Sequence, residues 1–119
     1  MSRTLVVKCT AGAEEAERAN QAFTVAASAV AAGASVSLWL TGEAAWFGVP
    51  GRASLDLELA TPLGDLLDLV LESGSVTVCG QCAARRGLAE ADLVPGAAIK
   101  GAAAFAEEIL AEGVQAIVY

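Results

Sequence analysis

The sequence predicts an α/β domain built on a parallel sheet with helices on both faces, and three observations carry that expectation. Short apolar, β-branched runs alternate along the chain with segments of helical periodicity. A glycine closes several of those segments. Strands separated by whole helices cannot pair through tight turns, so right-handed crossovers must bring them side by side in parallel. The chain has 119 residues, 55% of them hydrophobic, so one core suffices without disulfide or metal staples and the whole chain reads as a single domain.

The first predicted strand is Thr4 to Cys9, released by glycine in Thr10-Ala11-Gly12. A helix from about Ala13 to Ala32 follows, with Ala19, Ala22, Phe23, Ala26 and Val30 at three- and four-residue steps and Glu14, Glu15 and Glu17 at its positive end. Gly33 stops it. Ser35 to Leu40 alternates, with Val36, Leu38 and Leu40 on one side and Ser37 and Trp39 on the other, which defines the second strand. Glu43 to Phe47 fits one or two helical turns, and Gly48-Val49-Pro50-Gly51 marks an irregular, apolar loop. Pro62 and Leu63 open a helix to about Glu72 with Leu66, Leu67, Val70 and Leu71 inward. Ser75 to Cys79 is the third strand, and Gly80 to Gly87 a short helix. Val94 to Ile99 is a weaker strand because it contains Pro95 and Gly96. A helix from about Gly101 to Glu112, burying Phe105, Ile109 and Leu110, and a strand from Val114 to Tyr119 complete the chain.

Composition narrows the functions available. With seven basic against fourteen acidic side chains, the net charge is -7, and no basic stripe exists to bind a nucleic-acid backbone or an anionic membrane. The uncharged stretch between Arg18 and Glu43 is no membrane span, since Asn20, Gln21, Ser35 and Ser37 interrupt it and Gly33 divides it in two. Lys8 interrupts the first apolar run too early for a signal-peptide core, so the expected location is cytoplasmic and reducing. There is no histidine, which removes the commonest general base and metal ligand. Three sulfurs without histidine make no complete zinc site, and neither G-x-G-x-x-G nor a P-loop lysine is present, so no metal and no cofactor is expected.

The chemistry therefore rests on cysteine. In a parallel sheet all strands end at one edge, where ligands bind, and this places Cys9, Thr10 and Gly12 on the same rim as Cys79. Cys79 also opens a helix, where unpaired N–H groups favour a thiolate. Cys82 lies one turn on, and Arg85 and Arg86, three and four residues beyond it, supply positive charge expected to stabilise thiolates. Against this stands the habit of free cysteine to fill cores, strongest for Cys9. Carboxylate pairs such as Asp56 and Glu58 read as solvated faces. Trp39, Trp46 and Phe47 read as core or as an interface between subunits.

Strand three running into Val-Cys-Gly-Gln-Cys-Ala-Ala-Arg-Arg-Gly-Leu, residues 78 to 88, resembles the DsrE/DsrF-like family, whose DsrE/TusD-type sulfur carriers place a cysteine before a short segment ending in Arg-Gly. Leu38-Trp39-Leu40-Thr41-Gly42-Glu43 and the order of elements extend the resemblance along nearly the whole chain. It implies a three-layer α/β/α sandwich with a mainly parallel five-stranded sheet, assembled as homo-oligomeric trimers or hexamers. It also implies sulfur relay, with Cys79 accepting sulfane sulfur as a persulfide from a donor protein or small sulfur compound and passing it to an acceptor. Cys82 departs from the single-cysteine carriers and admits two alternatives. One is a thiol-disulfide redox protein using Cys79 and Cys82; the other is a non-enzymatic oligomeric module binding a ligand or partner beside the apolar loop at Ala44 to Val49.

Overall fold

The computed structural model describes residues 3–119. Five strands, β1 (Thr4–Cys9), β2 (Ser35–Leu40), β3 (Ser75–Cys79), β4 (Ala97–Lys100) and β5 (Val114–Val118), form one sheet. Its order is β4-β3-β2-β1-β5, and every neighbouring pair is parallel. The longer helices are α1 (Ala16–Ala31), α2 (Leu63–Ser73) and α4 (Ala102–Leu110), with the short α3 (Gly80–Arg85) following β3. Three 3-10 segments, Ala13–Glu15, Gly42–Gly48 and Glu90–Asp92, complete the architecture.

The layering follows from the strand order. From β1 to β4 the chain steps in one direction, so right-handed crossovers lay α1 and α2 on one face. The step from β4 to β5 runs back across the sheet, and the same handedness puts α4 on the other face. The result is a three-layer α/β/α sandwich.

The face under α1 and α2 is the main core. Val7, Cys9, Val36, Leu38, Leu40, Val76 and Val78 meet Ala19, Ala22, Phe23, Ala26, Leu66, Leu67 and Val70 there. Alanines along α1 let its backbone lie close to the strands, and Phe23 fills the remaining space edge-on to Phe47, ring centroids 5.6 Å apart. The opposite face is more polar. Trp39 packs edge-on against Phe105 of α4 at 5.1 Å, and Lys8 lies over the Phe105 ring, 4.9 Å from its centroid. Glu108 accepts from the Ser37 hydroxyl and, at 3.2 Å, from the Trp39 indole N–H, which satisfies two polar groups buried on this face.

Several sequence expectations change in detail. Pro95 and Gly96 lie outside the fourth strand, which begins at Ala97: proline cannot donate to the ladder, and Gly96 turns the chain with φ +94°. Leu110 is 81% exposed rather than buried, because it ends α4. The apolar segment at Ala44 to Val49 is largely interior: Ala44, Ala45, Phe47 and Gly48 are buried. It closes the carboxyl end of the core under β2 and β3, with Trp46 and Val49 left partly exposed.

Candidate functional site

Cys79 ends β3 and immediately precedes α3, so its side chain stands at the carboxyl edge of the sheet. Strand alternation puts it on the same sheet face as Thr77 and, two strands away, Lys8, opposite the face buried under α1. It is half-buried. Partial burial pushes its thiol up. The N–H groups of Cys82 and Gln81, a hydrogen bond from the Cys82 thiol, and the charge of Lys8 outweigh that and hold it below the ordinary cysteine value.

Cys82 has a second partner. The Gly42 N–H donates to its Sγ at 3.1 Å. Gly42 follows β2 with φ +56°, a backbone that favours glycine, and a Cβ there would stand 3.1 Å from the Thr10 carbonyl oxygen. The Gly42 bond thus ties the segment after β2 to the short helix that follows Cys79, linking two neighbouring strand ends.

The arginines do other work than the sequence led us to expect. Arg86 donates to Glu43 Oε2 from Nε at 3.1 Å and from Nη2 at 2.7 Å, and its Nη1 donates to the Cys82 carbonyl at 3.0 Å. Its charge is therefore answered by a carboxylate, and its role is to tie the end of α3 to the segment after β2. Arg85 is exposed at the last turn of α3. The cation acting on Cys79 is Lys8.

The other rim candidates are placed elsewhere. Cys9 is fully buried, its thiol donating to the Ala11 carbonyl at 3.3 Å, and burial pushes it up to about 11. It ends its strand at the same edge as Cys79 but points into the core under α1. Thr10 is joined to the carboxyl terminus, its N–H and hydroxyl both donating to the Tyr119 carbonyl, at 2.8 and 2.7 Å. This closes the β1/β5 junction, where the strand order reverses. The Gly12 N–H donates to Glu14 Oε1 at 2.9 Å, and a Cβ on Gly12 would come within 2.7 Å of the Glu43 Cβ. Beside these residues lies a cavity of about 430 Å³ lined in part by Glu14, Glu43, Trp46 and Arg52, with the Arg52 guanidinium 4.6 Å from the Trp46 ring centroid. No cysteine lines it.

Lys8 was legible as an anomaly, a lysine near the end of an otherwise apolar strand on the face away from α1. Its relation to Cys79 was not, because that depends on strand order. Gly42 carried the signal of a glycine directly after a strand, without saying where its N–H would point.

The fold and site together define a small parallel α/β/α domain that carries a Cys-x-x-Cys at a strand-to-helix junction. The chain belongs to the DsrE/DsrF-like family, whose model matches residues 4–119, and that family is associated with sulfur relay. The fold is similar to that of the ychN protein from E. coli, with TM-score 0.77 and 17% identity over 98% of this chain and 100% of that one. It is also similar to MTH1491, a protein of unknown function from Methanobacterium thermoautotrophicum, with TM-score 0.67 and 14% identity over 99% of this chain and 100% of that one. No curated protein matches the sequence. Among the described residues, no helix is long and apolar enough to cross a membrane.

Proposed function

We propose that this protein is a sulfur carrier with sulfurtransferase chemistry, holding sulfane sulfur as a persulfide on Cys79. The observation that carries this reading is the half-buried Cys79 sulfur at the sheet edge. Burial works against its thiolate, but two N–H donors, one thiol donor and Lys8 prevail and favour it. In loading, the Cys79 thiolate attacks the outer sulfur of a donor R–S–S⁻, an S–S bond forms to Cys79, and R–S⁻ departs with the electron pair of the broken bond. In delivery, an acceptor thiolate attacks the outer sulfur of the Cys79 persulfide and the Cys79 thiolate leaves. A thiol held below its ordinary value serves both steps, as a nucleophile present at neutral pH and as a good leaving group.

Membership in the DsrE/DsrF-like family supports the reading. The partners proposed with it are a sulfur donor, an acceptor protein bearing a thiol, and further copies of this chain in a trimer or hexamer, working in the cytoplasm. Intact mass spectrometry of the reduced protein after exposure to inorganic polysulfide tests the carrier. The expected result is gain of sulfur on Cys79, removed by reductant and absent from Cys79→Ser. Equal sulfur gain in Cys79→Ser would falsify the assignment.

A further inference from the structure

The carrier reading uses Cys79 and leaves unexplained why a second thiol is held against it by a dedicated backbone donor. Cys82 Sγ is held by the Gly42 N–H, which donates to it at 3.1 Å, and its thiol lies near enough to Cys79 to help hold that thiol below its ordinary value. The carbonyl of the same residue is held by Arg86, itself anchored on Glu43, so the backbone that carries Cys82 is tied to the segment after β2. A cysteine that merely filled space would need neither tether. A thiol held by its backbone tethers one helical turn from a persulfide has a reaction open to it.

We propose that Cys82 is a resolving thiol that discharges the Cys79 persulfide as hydrosulfide, giving the site a reductive release in addition to relay. The step rests on the carrier reading. Cys82 attacks the inner sulfur, Cys79 Sγ, and a Cys79–Cys82 disulfide forms as the bond to the outer sulfur breaks. The outer sulfur leaves with that electron pair and takes the Cys82 proton, so Cys79–S–S⁻ and Cys82–SH become the disulfide and HS⁻. The sulfane sulfur is reduced by two electrons, one from each cysteine sulfur. A thiol reductant of the cell then regenerates the dithiol, two reductant thiols becoming one disulfide. The substrate class is thus any sulfane donor able to load Cys79, and the products are hydrosulfide and an oxidised carrier. Discharge competes with delivery: a docked acceptor thiol takes the sulfur, and without one the site empties itself.

The test loads the full-length protein with inorganic polysulfide, removes excess donor by desalting, and follows the isolated protein without added thiol. Hydrosulfide is read colorimetrically, and Cys79–Cys82 cross-linking by intact mass and peptide mapping. The wild-type protein is expected to release one hydrosulfide for each disulfide formed. Cys82→Ser is expected to take up sulfur on Cys79 at whatever rate its altered site allows and, counted per persulfide loaded, to hold it at least about tenfold longer, since the intramolecular attack is gone. Cys82→Ala checks that the serine hydroxyl contributes nothing. Equal persulfide lifetimes in wild type and both variants, with no disulfide, overturn the resolving role while leaving the carrier intact. Failure of every form, wild type included, to gain sulfur on Cys79 overturns the carrier reading and this step with it.

Discussion

At the scale of single residues, three cysteines of one chain are given three different environments. Cys79 is opened to the edge and its thiolate favoured, Cys82 sits between a backbone N–H and Cys79, and Cys9 is sealed in the core. Because the thiolate is the reactive form, alkylation accelerates as pH rises through each thiol's pKa. For Cys79, burial raises that value but is outweighed by donors and charge, so its reactivity profile is expected to turn on at lower pH than that of an ordinary cysteine. Lys8→Met removes a cation that, among the described residues, acts on Cys79 while keeping an apolar stem against Phe105, and should move the profile to higher pH. A pH series of iodoacetamide rates, resolved by peptide, measures both, and an unmoved profile would remove Lys8 from the site. In the same experiment Cys9, pushed up to about 11 by burial, is expected to stay unmodified at neutral pH until the protein unfolds.

At the scale of elements, the site is a junction of two strand ends and one short helix, joined by Gly42, Cys82, Arg86 and Glu43. The junction depends on a backbone that only Gly42 adopts easily. Gly42→Ala forces a Cβ into φ +56°, near the Thr10 carbonyl oxygen, and is expected to cost about 1–2 kcal/mol of stability. Chemical denaturation reads that loss. Cys82 alkylation in the same variant should change as its N–H donor shifts, whereas Cys79→Ser should leave stability close to wild type. Most element boundaries were legible, because alternation in β2 and three- and four-residue spacing in α1 and α2 are strong local signals. Strand β4 begins three residues later than expected and ends one later, since Ala97 and Ala98 carry little strand signal and Pro95-Gly96 interrupts the apolar run.

At the scale of the whole molecule, the reversal of strand order decides which face each helix covers. The face under α1 and α2 is a dense apolar core around Phe23, whose ring is fully buried. Phe23→Ala empties that space and removes the edge-on contact with Phe47, so a loss of about 3–5 kcal/mol in urea unfolding is expected, with persulfide loading by the surviving folded fraction unchanged. A loss below 1 kcal/mol would mean that α1 packs less tightly than the structure has it. The other face is held by α4 through Glu108, Trp39 and Phe105, and it brings Lys8 onto the side of the sheet that Cys79 shares.

The sequence by itself determined the α/β class, the positions of most strands and helices, and the placing of Cys79 and Cys82 one turn apart where a strand runs into a helix. Those are local properties: periodicity, glycine stops and a two-residue spacing are written along the chain. The burial of Cys9 agreed with the habit of free cysteine to fill cores, while only the tertiary structure decided that Arg86 answers Glu43 and that Lys8 and the Gly42 N–H are the groups brought toward the two thiols. Each of those relations depends on strand order and alternation, which join residues distant in the chain, and on the direction of a single N–H after a left-handed turn. A side chain's neighbours across a sheet are chosen by the crossovers, and no pattern within one strand records them.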